Sequence, residues 1–99
     1  MKSVVMNNNQ TGLIVSGYIC FSNVLRIRQQ GNRLINQIAN SRVDIDLSNV
    51  ISSDVSGLSL LLRWLHYATK QSKQIHYLSI PPTLLKIAHV CGIAQLISE

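Results

Sequence analysis

The feature of this sequence that most restricts its fold is a repeated switch between two hydrophobic periods. Residues 43–47 read Val-Asp-Ile-Asp-Leu, an apolar–polar alternation that is typical of a strand with one buried face. In the segments on either side, apolar residues recur every three to four positions, as in amphipathic helices. Strands that alternate with helices along a chain usually form a parallel sheet covered by those helices, so the pattern predicts an α/β fold.

The predicted order of elements is β-β-α-β-α-β-α. Residues 4–6 and 13–20 are predicted strands, and the polar stretch 7–12 between them indicates a hairpin. The tail 93–97 fits either a fourth helical turn or an edge strand. We therefore expect a mixed sheet, an N-terminal hairpin plus parallel strands, with three to four helices packed on it. The other predicted elements are a helix over 24–40, the strand 43–47, a polar loop, a helix over about 56–73, a strand over 75–80 and a helix that opens at Pro82 or Thr83.

The first long helix is predicted to pack closely against a neighbour. Its apolar stripe has Gly31 on the same side, where a missing side chain permits close approach. Ser22 or Asn23 is the predicted cap, because short polar side chains accept hydrogen bonds from unpaired backbone N–H groups. The stripe consists of Val24, Ile27, Leu34, Ile35 and Ile38.

Length and charge limit the classes of function. The 99 residues, with no low-complexity linker, fit one domain over 1–99. The formal net charge of +5 favours an acidic partner, a nucleic acid or an anionic membrane surface. The basic residues form no run, so we expect a solvated basic face rather than nucleic-acid binding. The apolar run 60–62 ends at Arg63 and is too short to span a membrane, and a cytoplasmic location is the default expectation.

Residue patterns for catalysis and for metal or cofactor binding are missing from the sequence. No glycine belongs to a phosphate-binding loop, and no serine stands in a nucleophile elbow. His66, His76 and His89 lack the spacing of a zinc site. Cys20 and Cys91 lie among apolar residues and are expected to be buried, reduced thiols. We therefore predict a protein without enzymatic activity, cofactor or metal.

The second long helix has two apolar faces where a surface helix needs one. Asp54 precedes it as a predicted N-cap. One face is expected to join the core, and it consists of Leu58, Leu61, Leu62, Leu65 and Ala68. The opposite face carries Leu60, Trp64 and Tyr67, flanked by Ser56 and Arg63. Either a loop or the C-terminal tail covers this second face, or it is an exposed ridge for a partner; we favour the ridge, because aromatic and Arg side chains dominate interface energies.

Three segments resemble the central signature of the STAS family. Two further segments, Pro82-x-x-Leu85 and Ile87-Ala88-x-Val90-x-Gly92, resemble the C-terminal helix of the same family. The match spans roughly residues 13–97 and is greatest to the MlaB-type subunit of a phospholipid ABC transporter. The three central segments are Asp46-Leu47-Ser48-Asn49-Val50, Asp54-x-x-Gly57-Leu58-x-Leu60-Leu61-Leu62 and Ala68-x-Lys70-Gln71.

The resemblance implies a non-catalytic cytoplasmic accessory subunit that binds the ATPase of an ABC phospholipid transporter, which maintains the lipid asymmetry of the outer membrane. Its contact with the membrane would be indirect, through the transporter. The alternative is an anti-sigma factor antagonist that binds a kinase-type anti-sigma factor. The implied partner-binding residues, together with those of the ridge, are Asp54, Val55, Ser56, Gly57, Leu60, Arg63, Trp64 and Tyr67.

One position departs from the pattern of the switchable antagonists. Those relatives carry a Ser or Thr that is phosphorylated directly after the Asp, where this chain has Val55. Ser56 follows one place later and is the remaining candidate for phosphorylation, although a helix-capping role is the stronger expectation for it. The sequence therefore predicts a constitutive contact rather than one that phosphate controls.

Overall fold

Four strands form one sheet in the order β1-β2-β3-β4. In the computed structural model, which describes residues 4–8 and 11–97, β1 (Val4–Asn8) is antiparallel to β2 (Gly12–Ile19). β3 (Arg42–Ser53) and β4 (Gln74–Leu78) continue the sheet parallel to β2. The predicted mixed sheet with an N-terminal hairpin is confirmed.

The helices follow the predicted order, and the apolar tail adopts the helical alternative. They are α1 (Val24–Gln37), α2 (Val55–Lys70), α3 (Pro82–Val90) and the short α4 (Ala94–Ile97). α1 and α2 each end three residues before the predicted position. Ile38 has an extended backbone conformation after α1, and Ser72 has a positive φ of 59° after α2. Both conformations are incompatible with a helix, so α1 and α2 end early.

β3 is the element that the sequence pattern described least well. The polar loop predicted after residue 47 is wrong, because the strand continues to Ser53. The register against β2 shifts twice: Ile14 pairs with Asp46 but Ser16 with Asn49, and Gly17 pairs with residue 50 but Tyr18 with residue 52. Each shift inserts one extra β3 residue, a β-bulge that breaks the apolar–polar alternation.

The core lies between one face of the sheet and the helical layer. Alternate side chains of β2, of the first half of β3 and of β4 are buried, and those between them are partly or fully exposed. α1 contacts β1 and β2, α2 contacts β4, and α3 contacts β3, so the helices cover the buried face. The strand residues of this core include Leu13, Val15, Val43, Ile45, Leu47, Ile75 and Tyr77.

The two cysteines lie at element ends rather than in the core. Cys20 follows β2 and is half-buried, and Cys91 caps the C-terminus of α3 and is exposed. The prediction of two buried thiols is therefore wrong. Both cysteines belong to apolar stretches, but each lies at the end of its stretch, where the backbone moves away from the core. Neither cysteine forms a disulfide.

Candidate docking surface

The carboxyl ends of β2 and β3 bring the starts of α1 and α2 side by side. Ile19, the last residue of β2, pairs with Ser53, the last residue of β3. The backbone N–H of Asp54 then donates to the carbonyl oxygen of Ile19 at 3.1 Å. The residues that follow each strand lead directly into a helix. The β2–α1 loop and the first turn of α2 therefore lie at the same edge of the sheet.

Asp54 joins these two segments through its carboxylate. Oδ1 accepts the backbone N–H of Ser56 at 2.8 Å, which confirms the predicted N-cap, and Oδ2 accepts the backbone N–H of Phe21 at 3.1 Å. Desolvation raises the pKa of Asp54, but hydrogen bonds from Ser56 and Phe21 outweigh it, so the net pKa is lowered. Asp54 therefore carries its charge at neutral pH while it holds the loop to the helix.

Gly57 allows the first turn of α2 to sit tightly on the end of β3. A Cβ built at this position would overlap Oγ of Ser53 and would lie 3.1 Å from Cδ2 of Leu84 in α3. The Ser53 hydroxyl donates in turn to the backbone oxygen of Asp54 at 2.9 Å. Gly57 is buried, so its contribution to the surface is the placement of its neighbours.

The β2–α1 loop is held by Asn23, although not in the predicted manner. Asn23 occupies the N-cap position of α1 but makes no side-chain cap hydrogen bond. Its amide points backwards instead: Oδ1 accepts the N–H of Cys20 at 2.9 Å, and Nδ2 donates to the carbonyl oxygen of Tyr18 at 2.9 Å. Both ends of the Phe21 turn are thus fixed, one by Asn23 and the other by Asp54.

Three apolar side chains project into solvent around this fixed turn. Phe21 is 85% exposed, Val55 is 63% exposed and Leu25 is 55% exposed. Leu25 lies off the buried stripe of α1, and Phe21 precedes the helix, so periodicity gave no reason to select either as a functional residue. Their only signal in the sequence was a large apolar side chain placed outside any buried stripe.

A groove separates the start of α1 from α2. Its cavity volume is about 210 Å³. We call it the α1–α2 groove, and its lining includes Phe21, Leu25 and Arg28 on one side and Ser56, Leu60 and Arg63 on the other. We call the exposed residues at this edge together with the half-buried Ser56 the docking surface: Phe21, Leu25, Val55, Ser56 and Arg63.

The predicted exposed ridge of Leu60 and Trp64 is wrong. Leu60 is 1% exposed and Trp64 is fully buried. The indole Nε1 donates to the carbonyl oxygen of Arg28 at 3.2 Å, and a Cβ at Gly31 would overlap the indole ring. The second apolar face of α2 is therefore covered by α1, and not by a loop or the C-terminal tail. The close packing predicted at Gly31 is what permits this contact.

The other predicted site residues have different degrees of exposure. Arg63 is exposed and lines the groove, whereas Ser56 is half-buried. Tyr67 is partly buried against the core.

Within residues 4–8 and 11–97 no group of three or more His, Cys, Asp or Glu side chains could hold a metal ion. No helix in the same ranges is long and apolar enough to cross a membrane.

Residues 3–98 match the family model described as Mlab, STAS domain. The chain belongs to the STAS family. The resemblance seen in the sequence is thereby confirmed. A comparison with curated proteins found no significant match.

Solved STAS structures share the fold over most of the chain. A chain of the Acinetobacter MlaFEDB complex in the ATP-bound Vtrans2 conformation is 28% identical, with a TM-score of 0.81 over 95% of this chain and 96% of that one. In the Vtrans1 conformation the identity is 30% and the TM-score 0.71, over 89% of this chain and 90% of that one. The unphosphorylated anti-sigma factor antagonist SpoIIAA is 17% identical, with a TM-score of 0.73 over 97% of this chain and 85% of that one. This similarity is evidence for the shared fold only.

The charge of this STAS chain near the groove is positive and unbalanced. Arg28 is half-buried, Arg63 is exposed, and neither forms an ion pair with any residue that the structure describes. Asp54 stands at the same edge, but both of its oxygens accept backbone N–H groups. The groove therefore combines apolar walls with two cationic side chains.

Proposed function

We propose that this chain is a non-catalytic accessory subunit that binds the ATPase of an ABC phospholipid transporter on the cytoplasmic side of the membrane. The observation that carries the proposal is its similarity to a chain of the Acinetobacter MlaFEDB complex, which extends over nearly the full length of both chains at 28% identity. The identity with the anti-sigma factor antagonist SpoIIAA is 17%. Through such an ATPase the subunit would support the lipid asymmetry of the outer membrane.

The docking surface has the properties that a protein contact requires. Phe21 and Val55 are highly exposed, yet the backbone beneath them is fixed by Asp54, so little conformational freedom is lost when a partner covers them. Apolar and aromatic anchors at the centre of an interface with Arg nearby account for most binding energy in protein complexes. We assign contact roles to Phe21, Leu25, Val55, Ser56 and Arg63.

The remaining predicted site residues support this surface from below. Asp54 and Gly57 set the position of the first turn of α2, whereas Leu60 and Trp64 fill the space between α1 and α2. Replacing one of these supporting residues would affect binding indirectly, because it would displace the exposed residues of the docking surface. We therefore choose variants at the exposed positions to test binding.

The side chains at the helix start favour a constitutive contact over a phosphate-controlled one. Val55 is exposed but has no hydroxyl. The Ser56 N–H donates to Asp54, so a phosphate on the half-buried Ser56 would stand beside a charged carboxylate and be repelled. In the anti-sigma alternative, incubation with a kinase-type anti-sigma factor and ATP would add phosphate at Ser56; we expect mass spectrometry to detect no added phosphate.

Co-purification tests the proposed function directly. The chain is expressed together with the affinity-tagged ATPase of a phospholipid ABC transporter from the same genome, and the eluate is analysed by size-exclusion chromatography with light scattering. We expect a stable complex that contains both proteins. Elution of the ATPase alone, from a preparation in which both proteins are folded, would reject the proposal.

A further inference from the structure

We infer that the α1–α2 groove receives a segment of the ATPase in which an apolar side chain is flanked by carboxylates. This inference rests on the proposed function and specifies the chemistry of the partner at the same surface. Three observations carry it: the size of the groove, its apolar lining, and the two arginines that line it, one on α1 and one on α2, without an ion pair to any described residue.

The groove has the dimensions of a side-chain pocket. Its volume of about 210 Å³ lies below the range of roughly 300–1,000 Å³ that is usual for small-molecule sites. Leu60 closes it from the core side, and Phe21 and Leu25 form the rim towards solvent. An apolar side chain that enters the groove would be buried there. It would also cover Phe21 and Leu25, which are exposed in the free subunit, and the burial of apolar surface on both sides would favour binding.

The charges around the groove select an acidic partner. Arg28 lies on α1 and Arg63 on α2, so a group between the two helices is within the field of both guanidinium groups. Arg28 is already half-buried, and covering it without a counter-charge would leave a desolvated cation. Carboxylates match guanidinium in shape and charge, and the hydroxyls of Ser56 and Ser59 at the groove can donate further hydrogen bonds to them.

The shape of the site favours a protein segment over a membrane surface. The two arginines belong to a concave groove between helices, whereas an anionic bilayer presents a broad surface that meets exposed basic side chains. The subunit as a whole adds to the attraction, because its nine Lys and Arg residues outnumber its four Asp and Glu residues. The groove therefore fits an acidic segment of the ATPase that is anchored by an apolar side chain.

Zero-length crosslinking locates the carboxylates. The variants Arg28→Lys and Arg63→Lys keep the positive charge and add an amine, which a carbodiimide joins to a carboxylate in direct contact. Arg33→Lys is the matched control, because Arg33 is exposed on α1 and does not line the groove. In the complex with the ATPase, we expect amide crosslinks from positions 28 and 63 to Asp or Glu of the ATPase, and none from position 33.

Charge reversal measures the contribution of the same contacts. We expect Arg63→Glu to weaken ATPase binding at least about tenfold and to reduce its dependence on salt, whereas Arg33→Glu changes the Kd less than about twofold. The inference would be overturned, and the proposed function left intact, if Arg63→Glu and Arg28→Glu each bind the ATPase as wild type does and positions 28 and 63 form no crosslink. Loss of wild-type binding to the ATPase would remove both.

A membrane contact would give a different result. In that case the wild-type subunit binds vesicles of phosphatidylglycerol at low salt, and Arg63→Glu abolishes vesicle binding without affecting the ATPase complex. That outcome would overturn the inference as well. We expect vesicle binding to be unchanged by Arg63→Glu relative to Arg33→Glu.

Discussion

The backbone N–H of Phe21 donates a 3.1 Å hydrogen bond to Oδ2 of Asp54, which lies 33 residues further along the chain. The other oxygen of the same carboxylate caps α2. One side chain thus fixes both the loop that exposes Phe21 and the helix start that exposes Val55. The geometry of the docking surface therefore depends on this shared acceptor.

Replacing Asp54 separates its two roles. We expect Asp54→Ala to lower the free energy of unfolding by about 1 kcal/mol, because the N-cap is lost. Asp54→Asn keeps an oxygen that can cap the helix, but its amide nitrogen cannot accept from Phe21. Urea unfolding should therefore place Asp54→Asn between wild type and Asp54→Ala, and hydrogen exchange at the Phe21 amide should be faster in both variants. Exchange at wild-type rates would show that the Phe21–Asp54 bond does not form in solution.

The same carboxylate predicts a pH dependence with a definite sign. Desolvation acts to raise the pKa of Asp54, but its hydrogen bonds prevail and lower it. A lowered folded-state pKa stabilises the protein above the unfolded pKa, about 3.9, and that contribution is lost as pH falls through the folded value. The difference in unfolding free energy between wild type and Asp54→Asn should be constant above about pH 5 and should shrink at lower pH. A difference that grows on acidification would contradict the assigned direction.

Gly31 should tolerate no side chain. Alanine is about 1 kcal/mol better than glycine in a helix interior, but here its Cβ would overlap the rigid indole of Trp64. Overpacking of this kind costs about 1–3 kcal/mol, so we expect Gly31→Ala to be destabilised in urea and to shift the Trp64 fluorescence to the red. Arg33→Ala, at an exposed position of the same helix, serves as the control and should change stability by less than about 0.5 kcal/mol. A stabilised Gly31→Ala would mean that α1 and α2 do not pack at this point.

The periodic parts of this fold were predictable, and the irregular part of β3 was not. Strict alternation at 43–47 marked the first half of β3 correctly. From residue 48 onwards two bulges against β2 remove the alternation, so a paired strand resembled a polar loop. Bulges depend on the partner strand, and a single strand's sequence contains little information about that partner.

The candidate site shows the same division between local and tertiary information. The Asp54 cap follows from local hydrogen bonding and was predicted correctly. The burial of Leu60 and Trp64 depends on where α1 packs, and the helical periodicity of α2 alone cannot show which element covers its second face. Phe21 joins the site through the hydrogen bond from its N–H to Asp54, a contact between distant segments.

The docking surface, rather than another apolar side chain of the subunit, is the proposed binding site for the ATPase. Calorimetry of the purified subunit with the ATPase of a phospholipid ABC transporter, for the variants Phe21→Asp and Val90→Asp, tests this assignment. Val90 is the matched control, because it is 83% exposed, apolar and located on α3. We predict that Phe21→Asp weakens binding at least about tenfold while Val90→Asp binds as wild type. Equal binding by the two variants, both folded by circular dichroism, would contradict the claim.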